Sequence, residues 1–502
     1  MPYVGKKPAD IIAMAVDTTT GTFSGTLGVT GETTLSANLN LGDNDKAIFG
    51  AGDDLQIYHD SNHSRIYDNG GGELKIMSNG TAVRIQKDSG ENMILANTDG
   101  AVNLYHSGNA KLATTSTGID VTGTAVTDGL TVAGNLSVDG GTIKLDGNYP
   151  TGSNNVALGD TALDDGSLSG GNNTAIGHQS LTNTTSGANN TAVGMNSMVS
   201  NTSGNLNVAV GGSALTSSTT ADANTALGTD ALAFNTTGDN NTAVGNAALQ
   251  SNTTASNNTA VGYQASRANT TGNQNVAVGF YALDANSTGS NNTALGRSAL
   301  EDNTTASNNT AVGYLALQAN TTGADNVAVG KDALDSNTTG GSNVGIGSDA
   351  LQSNSTGASN VAVGNDALKS NNASNNVGVG ALALQANTSG TSNTALGFIA
   401  LYSNTTASFN TAVGFHALTD VTTGSTNVGV GSYAGRNITT GADNIAIGRH
   451  ALSDLQTGSQ NIAVGDQTLY NTTGNSNVAV GDLAGHFNTS GEDNAFFGNS
   501  AG

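Results

Sequence analysis

Asn241-Thr-Ala-Val-Gly245-Asn-Ala-Ala-Leu249-Gln-Ser-Asn252-Thr-Thr-Ala-Ser-Asn257 runs straight into Asn258-Thr-Ala-Val-Gly262, where the same seventeen-residue pattern begins again. Anchored on the Gly that closes each Asn-[Thr/Val]-Ala-[Val/Leu/Ile]-Gly, the pattern recurs at 21 glycines from Gly159 to Gly498, and seventeen of the twenty steps are 17 residues long. One step is 18 residues (Gly159 to Gly177) and two are 16 (Gly364 to Gly380, Gly465 to Gly481). The first short step loses its residue at Asn371-Asn372-Ala373, where a loop tolerates the loss. Four before the anchor stands Asn in all 21 copies, from Asn155 to Asn494. Two before it is Ala in 17 copies, Gly at Gly345, Gly378 and Gly429, and Phe496 in the last. One before is always apolar, three after is usually Ala and four after usually Leu, as in Ala248-Leu249; Asn-Thr-Thr-Gly then closes the unit.

Such a unit has no run of ten helix formers, and its β-branched residues, Gly, Asn and Thr disfavour a helix. Gly does not recur every third residue, which excludes a collagen helix. The remaining solution is an all-β solenoid or β-roll with one coil per repeat, in which the Asn column stacks as a side-chain ladder and the small columns permit close approach. At ~4.8 Å per coil, 21 coils make a shaft on the order of 100 Å long. One coil buries about a Val, a Leu and two Ala, worth a few kcal/mol against roughly 1 to 2 kcal/mol of backbone entropy per residue. The second small-residue column is therefore expected to pack against partner chains around an axis. The final unit stops at Gly498-Asn-Ser-Ala-Gly502 without a distinct cap, so another protein or segment is expected to cover that edge.

Composition agrees. Of 502 residues 69 are Gly, about twice the usual share, with three Pro, no Trp and no Cys; charged residues are 11% and aromatics 4%. No disulfide, Cys-zinc site or thiol nucleophile is available. The longest apolar run near the start, Ile11 to Val16, is too short for a signal core or a membrane helix. The net charge of −23 divides as −8 over residues 1–150 and −15 over 151–502, with no basic stripe, which argues against nucleic-acid partners. All three Pro lie in the first 150 residues, where alternating segments separated by Gly, Asn and Asp turns read as β. These segments are Leu55–Tyr58, Arg65–Tyr67, Glu73–Met77, Ala82–Gln86, Asn92–Leu95, Val102–Tyr105, Ile119–Val121, Leu130–Val132, Leu136–Val138 and Thr142–Leu145. The expected organisation is an extended docking arm over 1–20, a β-rich attachment region over 21–150 and the repeat shaft over 151–502.

The opening Met1-Pro-Tyr-Val-Gly-Lys-Lys-Pro-Ala-Asp-Ile-Ile12, with Gly52-Asp-Asp-Leu-Gln-Ile-Tyr-His-Asp60 and Ser64-Arg-Ile-Tyr-Asp68, resembles the N-terminal part of tail-fibre and related virion structural proteins of marine tailed phages, notably cyanophages. The repeats from residue 155 to 502 resemble the head repeats of YadA-like trimeric adhesins, which form left-handed β-rolls wound into a trimer; the unit here is longer than theirs. These resemblances imply a homotrimeric fibre. Its N-terminus, with Pro2, Tyr3, Lys6, Lys7 and Pro8, would dock on a tail or other virion protein, and its distal part would meet a host cell-surface glycan or protein. The chain lacks the signal peptide, heptad stalk and C-terminal membrane anchor of the adhesins, which favours a virion appendage, extracellular after lysis, over the alternative of a bacterial adhesin head. No cofactor, nucleic acid or membrane insertion is implied.

Candidate chemistry is sparse, and no enzyme is expected. His59 and His63 flank Asp60, but they span a strand end and turn rather than a helix face, so no metal site is assigned. His178, His416, His450 and His486 read as surface residues. Acidic residues such as Asp284, Glu301 and Asp302 scatter over variable positions, so no catalytic carboxylate pair is assigned. The Asn-x-Thr triplets read as turns, not glycosylation sites. Ice binding by a Thr array is disfavoured because the Thr of each pair are adjacent and point to opposite faces when extended. The most variable position directly follows the anchor and carries Asp160, Thr229, Arg297 and Lys331 but also Tyr263, Phe280, Tyr314, Phe398 and Phe415. These five rings are the candidate receptor contacts, through stacking on sugars; their plainer use is to cover a neighbouring chain or loop.

Overall fold

The computed structural model of the chain describes residues 28–122 and 153–502, which fall into two separate units. The expected docking arm with Pro2, Tyr3, Lys6, Lys7 and Pro8, and the expected strands at 130–132, 136–138 and 142–145, lie outside the described residues. All regular structure among the described residues is β.

In the first unit β1 (Lys46–Phe49), β2 (Leu55–His59) and β3 (Ser64–Asp68) form an antiparallel sheet. β4 (Ala82–Gln86), β5 (Asn92–Asn97), β6 (Val102–His106), β7 (Asn109–Thr114) and β8 (Ile119–Val121) form a five-stranded antiparallel meander. Glu73–Met77, expected as a strand, is not one, while β1 and β7 are additional. Ala and Lys in β7 are weak strand formers. Its place is set instead by the two-residue turn Ser107-Gly108, whose φ values of 49° and 78° suit the right-handed twist of a hairpin.

In the second unit each repeat contributes one three-residue strand, from β9 (Val156–Leu158) and β10 (Thr174–Ile176) through to β29 (Ala495–Phe497). Every strand pairs in parallel with those of the adjoining coils, so that Ala243 lies opposite Ala226 and Ala260. The structure is thus a β-solenoid of 17-residue coils. Alternation along each strand turns the Asn and the Ala inward and leaves the residues between and after them facing out.

The interior is built from a few columns. Ala243, Ala248 and Leu249 are fully buried, as are their counterparts in most coils. This corrects the expectation that the second Ala column faces a partner chain, because both Ala columns lie inside their own coil. Asn241 is also fully buried. Its Oδ1 accepts the backbone N–H of Asn258 in the next coil at 2.9 Å, and its Nδ2 donates to the Ala255 carbonyl at 2.9 Å. A second Asn column, drawn from the Asn-Thr-Thr stretch, runs unbroken through eleven coils from Asn235 to Asn404. Each Nδ2 in it donates to the preceding Oδ1, as Asn252 does to Asn235 at 2.8 Å. That column ends at Val421, which is fully buried and offers no donor, so the Asn404 Oδ1 has no partner. The 16-residue step costs little order: Asn371 donates to the Ala373 carbonyl at 2.8 Å and keeps its place in the column. In the last coil Phe496 packs against the core where other coils carry Ala or Gly.

The turns make the coil close. Ala247, Leu249 and Asn257 have φ values of 54°, 49° and 62°, a conformation that L-residues adopt only under constraint. Each directs its N–H along the solenoid, onto Thr229 O, Ala265 O and Asp239 O at 2.9, 3.0 and 3.0 Å. The anchor glycine is the one position where no other residue fits. Gly313 has φ +143° and a Cβ there would meet the Gly330 carbonyl oxygen at 2.3 Å.

Two substitutions measure these constraints. Gly313→Ala is expected to cost about 3 kcal/mol or more through strain and overlap. Asn320→Leu strips the Asn303 Oδ1 of its donor and is expected to cost about 1–3 kcal/mol. Both should lower the calorimetric melting temperature; an unchanged melt for either removes the corresponding role.

Candidate functional site

The position after the anchor is set by the turn that follows each strand, so its side chains project from successive coils in a row. Tyr263, Phe280, Tyr314, Phe398 and Phe415 all stand in that row and are 42–44% exposed. The structure brings four of them together in pairs: Tyr263 on Phe280, with ring centroids 5.3 Å apart and planes 16° apart, and Phe398 on Phe415, at 5.7 Å and 17°. Tyr314 joins the first pair through Arg297, whose guanidinium carbon lies 5.8 Å from the Phe280 centroid and 5.6 Å from that of Tyr314. Tyr263, Phe280, Arg297 and Tyr314 therefore make one row over four successive coils, in which a stacked ring pair is followed by a guanidinium and a third ring.

A parallel row two residues after the anchor escaped the sequence reading. His416, Tyr433 and His450 occupy it in three successive coils, stacked at 5.3 Å and 4.9 Å with planes 16° and 8° apart. Tyr281 from the same row sits edge-on to Phe280 at 4.2 Å, and His416 edge-on to Phe415 at 4.3 Å. Further along, Tyr470 stacks on His486 at 5.3 Å. These histidines look scattered when counted by number, and only alignment to the anchor shows the shared column of His416 and His450.

The stacking decides what the rings can do. A ring whose faces lie against its neighbours presents only its hydrogen-bearing edge and, for tyrosine, its hydroxyl. A sugar stacking through its C–H groups needs a ring face. The ring faces turned towards each other within a stack thus bind coil to coil, and the ring edges, the Tyr263 and Tyr314 hydroxyls and Arg297 remain for outward contacts. Ion pairs reinforce the same axis: Arg267 grips Asp284 of the next coil with bonds of 2.9 and 3.0 Å, and Arg449 grips Asp466 at 3.1 and 2.8 Å. The Arg449 guanidinium holds the Asp466 carboxyl below its usual range.

In the first unit the His59/His63 pair resolves into turn chemistry. The Asp60 carboxylate accepts the His63 and Asn62 backbone N–H groups at 2.8 and 3.2 Å and pairs with Arg65 at 2.5 Å. These contacts, led by the His63 N–H, hold the Asp60 carboxyl down at about 2. His59 turns to the Ser64 hydroxyl at 3.2 Å. Among the described residues no group of three or more His, Asp or Glu is placed to hold a metal, and no helix is long and apolar enough to cross a membrane.

Burial pushes His416 and His450 below the ordinary histidine value, helped by Arg436 and Arg449 respectively. A depressed histidine favours the folded state while neutral and loses that contribution as pH falls through its folded value. Side-chain NMR titration should show both rings titrating below 6.5, with faster amide exchange around Tyr433 once they are charged. Titration at or above that value contradicts the burial assigned here.

Comparison with family models, with characterised proteins and with solved structures finds no match to this chain.

Proposed function

We propose that the chain is a fibre protein of a tailed-phage virion, docked on the particle by its N-terminal residues and extended by its repeats towards the host surface. The observation that carries this reading is the unbroken, in-register ladder of one strand per repeat from β9 to β29, a form suited to spanning distance rather than enclosing a substrate. The opening stretch from Met1 to Ile12 and the Asp53-Asp-Leu-Gln-Ile-Tyr-His-Asp60 segment support a virion over a bacterial adhesin head, which would use the same kind of shaft. In this reading three copies assemble, Pro2, Tyr3, Lys6, Lys7 and Pro8 belong to the docking arm, and the protein leaves the cell on lysis. Host contact falls on the exposed edges and hydroxyls of Tyr263, Phe280, Tyr314, Phe398 and Phe415, with a cell-surface glycan or protein as the receptor. The function is adhesive and structural and calls for no cofactor or catalytic group.

Purified full-length chain is expected to bind marine cyanobacterial cells saturably and to reduce adsorption of the matching phage in proportion to occupancy. Absence of saturable binding across a panel of such hosts contradicts the adhesive role. Sedimentation is expected to give three copies, and a stable folded monomer contradicts the assembly.

A further inference from the structure

We infer that Arg297 sets the specificity of the aromatic row and that its ligand is an acidic glycan, held through the oxygens of a carboxylate or a sulfate ester. The inference rests on the proposed reading of that row as the host contact and names the chemistry of what it takes.

The observation is a contrast among cations. Residues 151–502 carry six Lys and Arg against 21 Asp and Glu, so carboxylates are plentiful, and four of the six cations have one. Arg267 is paired with Asp284, Lys331 with Asp332, Lys369 with Asp366 and Arg449 with Asp466. Arg436 turns its Nε to the Asn437 Oδ1 at 3.0 Å. The Arg297 guanidinium alone of the six has neither a hydrogen bond nor an ion pair with a protein group among the described residues. Its place is fixed all the same, by the Phe280 ring one coil before it and the Tyr314 ring one coil after, at 5.8 and 5.6 Å to the centroids. Acids of the same coils are engaged elsewhere: Asp284 by Arg267 at 2.9 and 3.0 Å, and Glu301 by the Gln318 amide at 3.2 Å. The column of Arg297 carries no Asp or Glu from Thr229 to Ser432.

An exposed guanidinium kept clear of carboxylates presents a planar fork of N–H donors, the shape that matches two oxygens of a carboxylate or sulfate. Rings on either side hold it before a ligand arrives, which lowers the ordering cost of binding. The Tyr263 and Tyr314 hydroxyls of the same row also make no hydrogen bond with the protein and are free for sugar hydroxyls. The size of the row favours a glycan over a protein. Four side chains on successive coils span about 15 Å. That line falls far short of the roughly 800 Å² a stable protein interface needs from each partner, whereas a chain of sugars can lie along it. Overall charge cannot supply the preference, because −15 over residues 151–502 repels polyanions. At physiological salt, exposed charges more than about 8 Å away are largely screened, so the local cation decides.

The test measures binding of the full-length chain to three immobilised polymers: alginate for carboxylates, dextran sulfate for sulfates and unmodified dextran as the neutral reference. Wild type should bind at least one acidic polymer roughly tenfold or more tightly than dextran, and the acidic polymer held more tightly identifies the oxyanion. Arg297→Gln and Arg297→Lys should each lose roughly tenfold of that affinity, the second because an ammonium keeps the charge without the fork. Lys331→Gln removes the same charge from a cation already paired with Asp332 and should bind as wild type. β circular dichroism should be unchanged in all three, and should Arg297→Gln not fold, Arg297→Lys decides. No preference for either acidic polymer over dextran, or full binding by a folded Arg297 variant, overturns the inference. Cell binding separates the two readings. If the chain binds host cells saturably and Arg297→Gln binds them equally well, the inference falls and the adhesive role stands, with a protein or neutral glycan as receptor. If wild type binds no host cells, the adhesive role itself falls.

Discussion

A single carboxamide per coil is the contact on which the rest of the solenoid depends. The Asn four residues before the anchor glycine is buried in every coil but the last, and there both ends of its amide are engaged: the oxygen with the next coil's backbone N–H, the nitrogen with a carbonyl across its own coil. The first bond sets the axial register between coils, and the second fixes the width of the coil. A leucine of similar size would fill the volume and leave a buried backbone N–H without an acceptor, at a cost of about 1–3 kcal/mol in each coil. Repeated along one line, the bonds also polarise one another in a dry interior. This explains why the column admits no substitute while the surface positions beside it vary freely.

The second Asn column illustrates the same rule by where it ends. Inside the run from Asn235 to Asn404 each amide hands its donor to the one before, and where Val421, Ile438 and Leu455 take over the column becomes purely apolar. The unpaired amide oxygens of this column fall where the next coil offers no amide, on Asn404 before Val421 and on Asn201 before Ser218, whose own hydroxyl is also unpartnered. A coil can therefore be filled by amides or by hydrocarbon, and the long run of amides leaves an unpaired oxygen where it gives way to Val421. The first Asn column has no such freedom because it also serves the backbone.

Much of this was legible in the residues. The period, the Asn ladder, the anchor glycine and the tolerance of a deletion at Asn371-Asn372-Ala373 follow from column statistics, because each reflects a constraint that one residue type satisfies. The left-handed backbone at Leu249 was not legible, since leucine carries no local signal for positive φ and is held there by its buried side chain and its N–H bond to Ala265. The burial of Asn252 was hidden inside a stretch that reads as a turn. Its neighbour Thr253 gave no sign that its hydroxyl is spent on the Thr270 carbonyl at 3.1 Å. The aromatic row was visible, but its consequence was not: stacking at 5.3 Å turns the ring faces of Tyr263 and Phe280 towards each other, which no single-column reading reveals.

Residue-resolved amide hydrogen exchange along the repeats tests the central claim most directly. If the buried carboxamides hold the coils in register, the backbone N–H groups of the first Asn column, such as Asn241, Asn258 and Asn275, will be among the slowest to exchange in the chain. The neighbouring exposed amides of Asn246 and Thr254 will be among the fastest. Comparable exchange at the two sets would contradict the account, because it would mean that the Asn column does not bear the contact between coils.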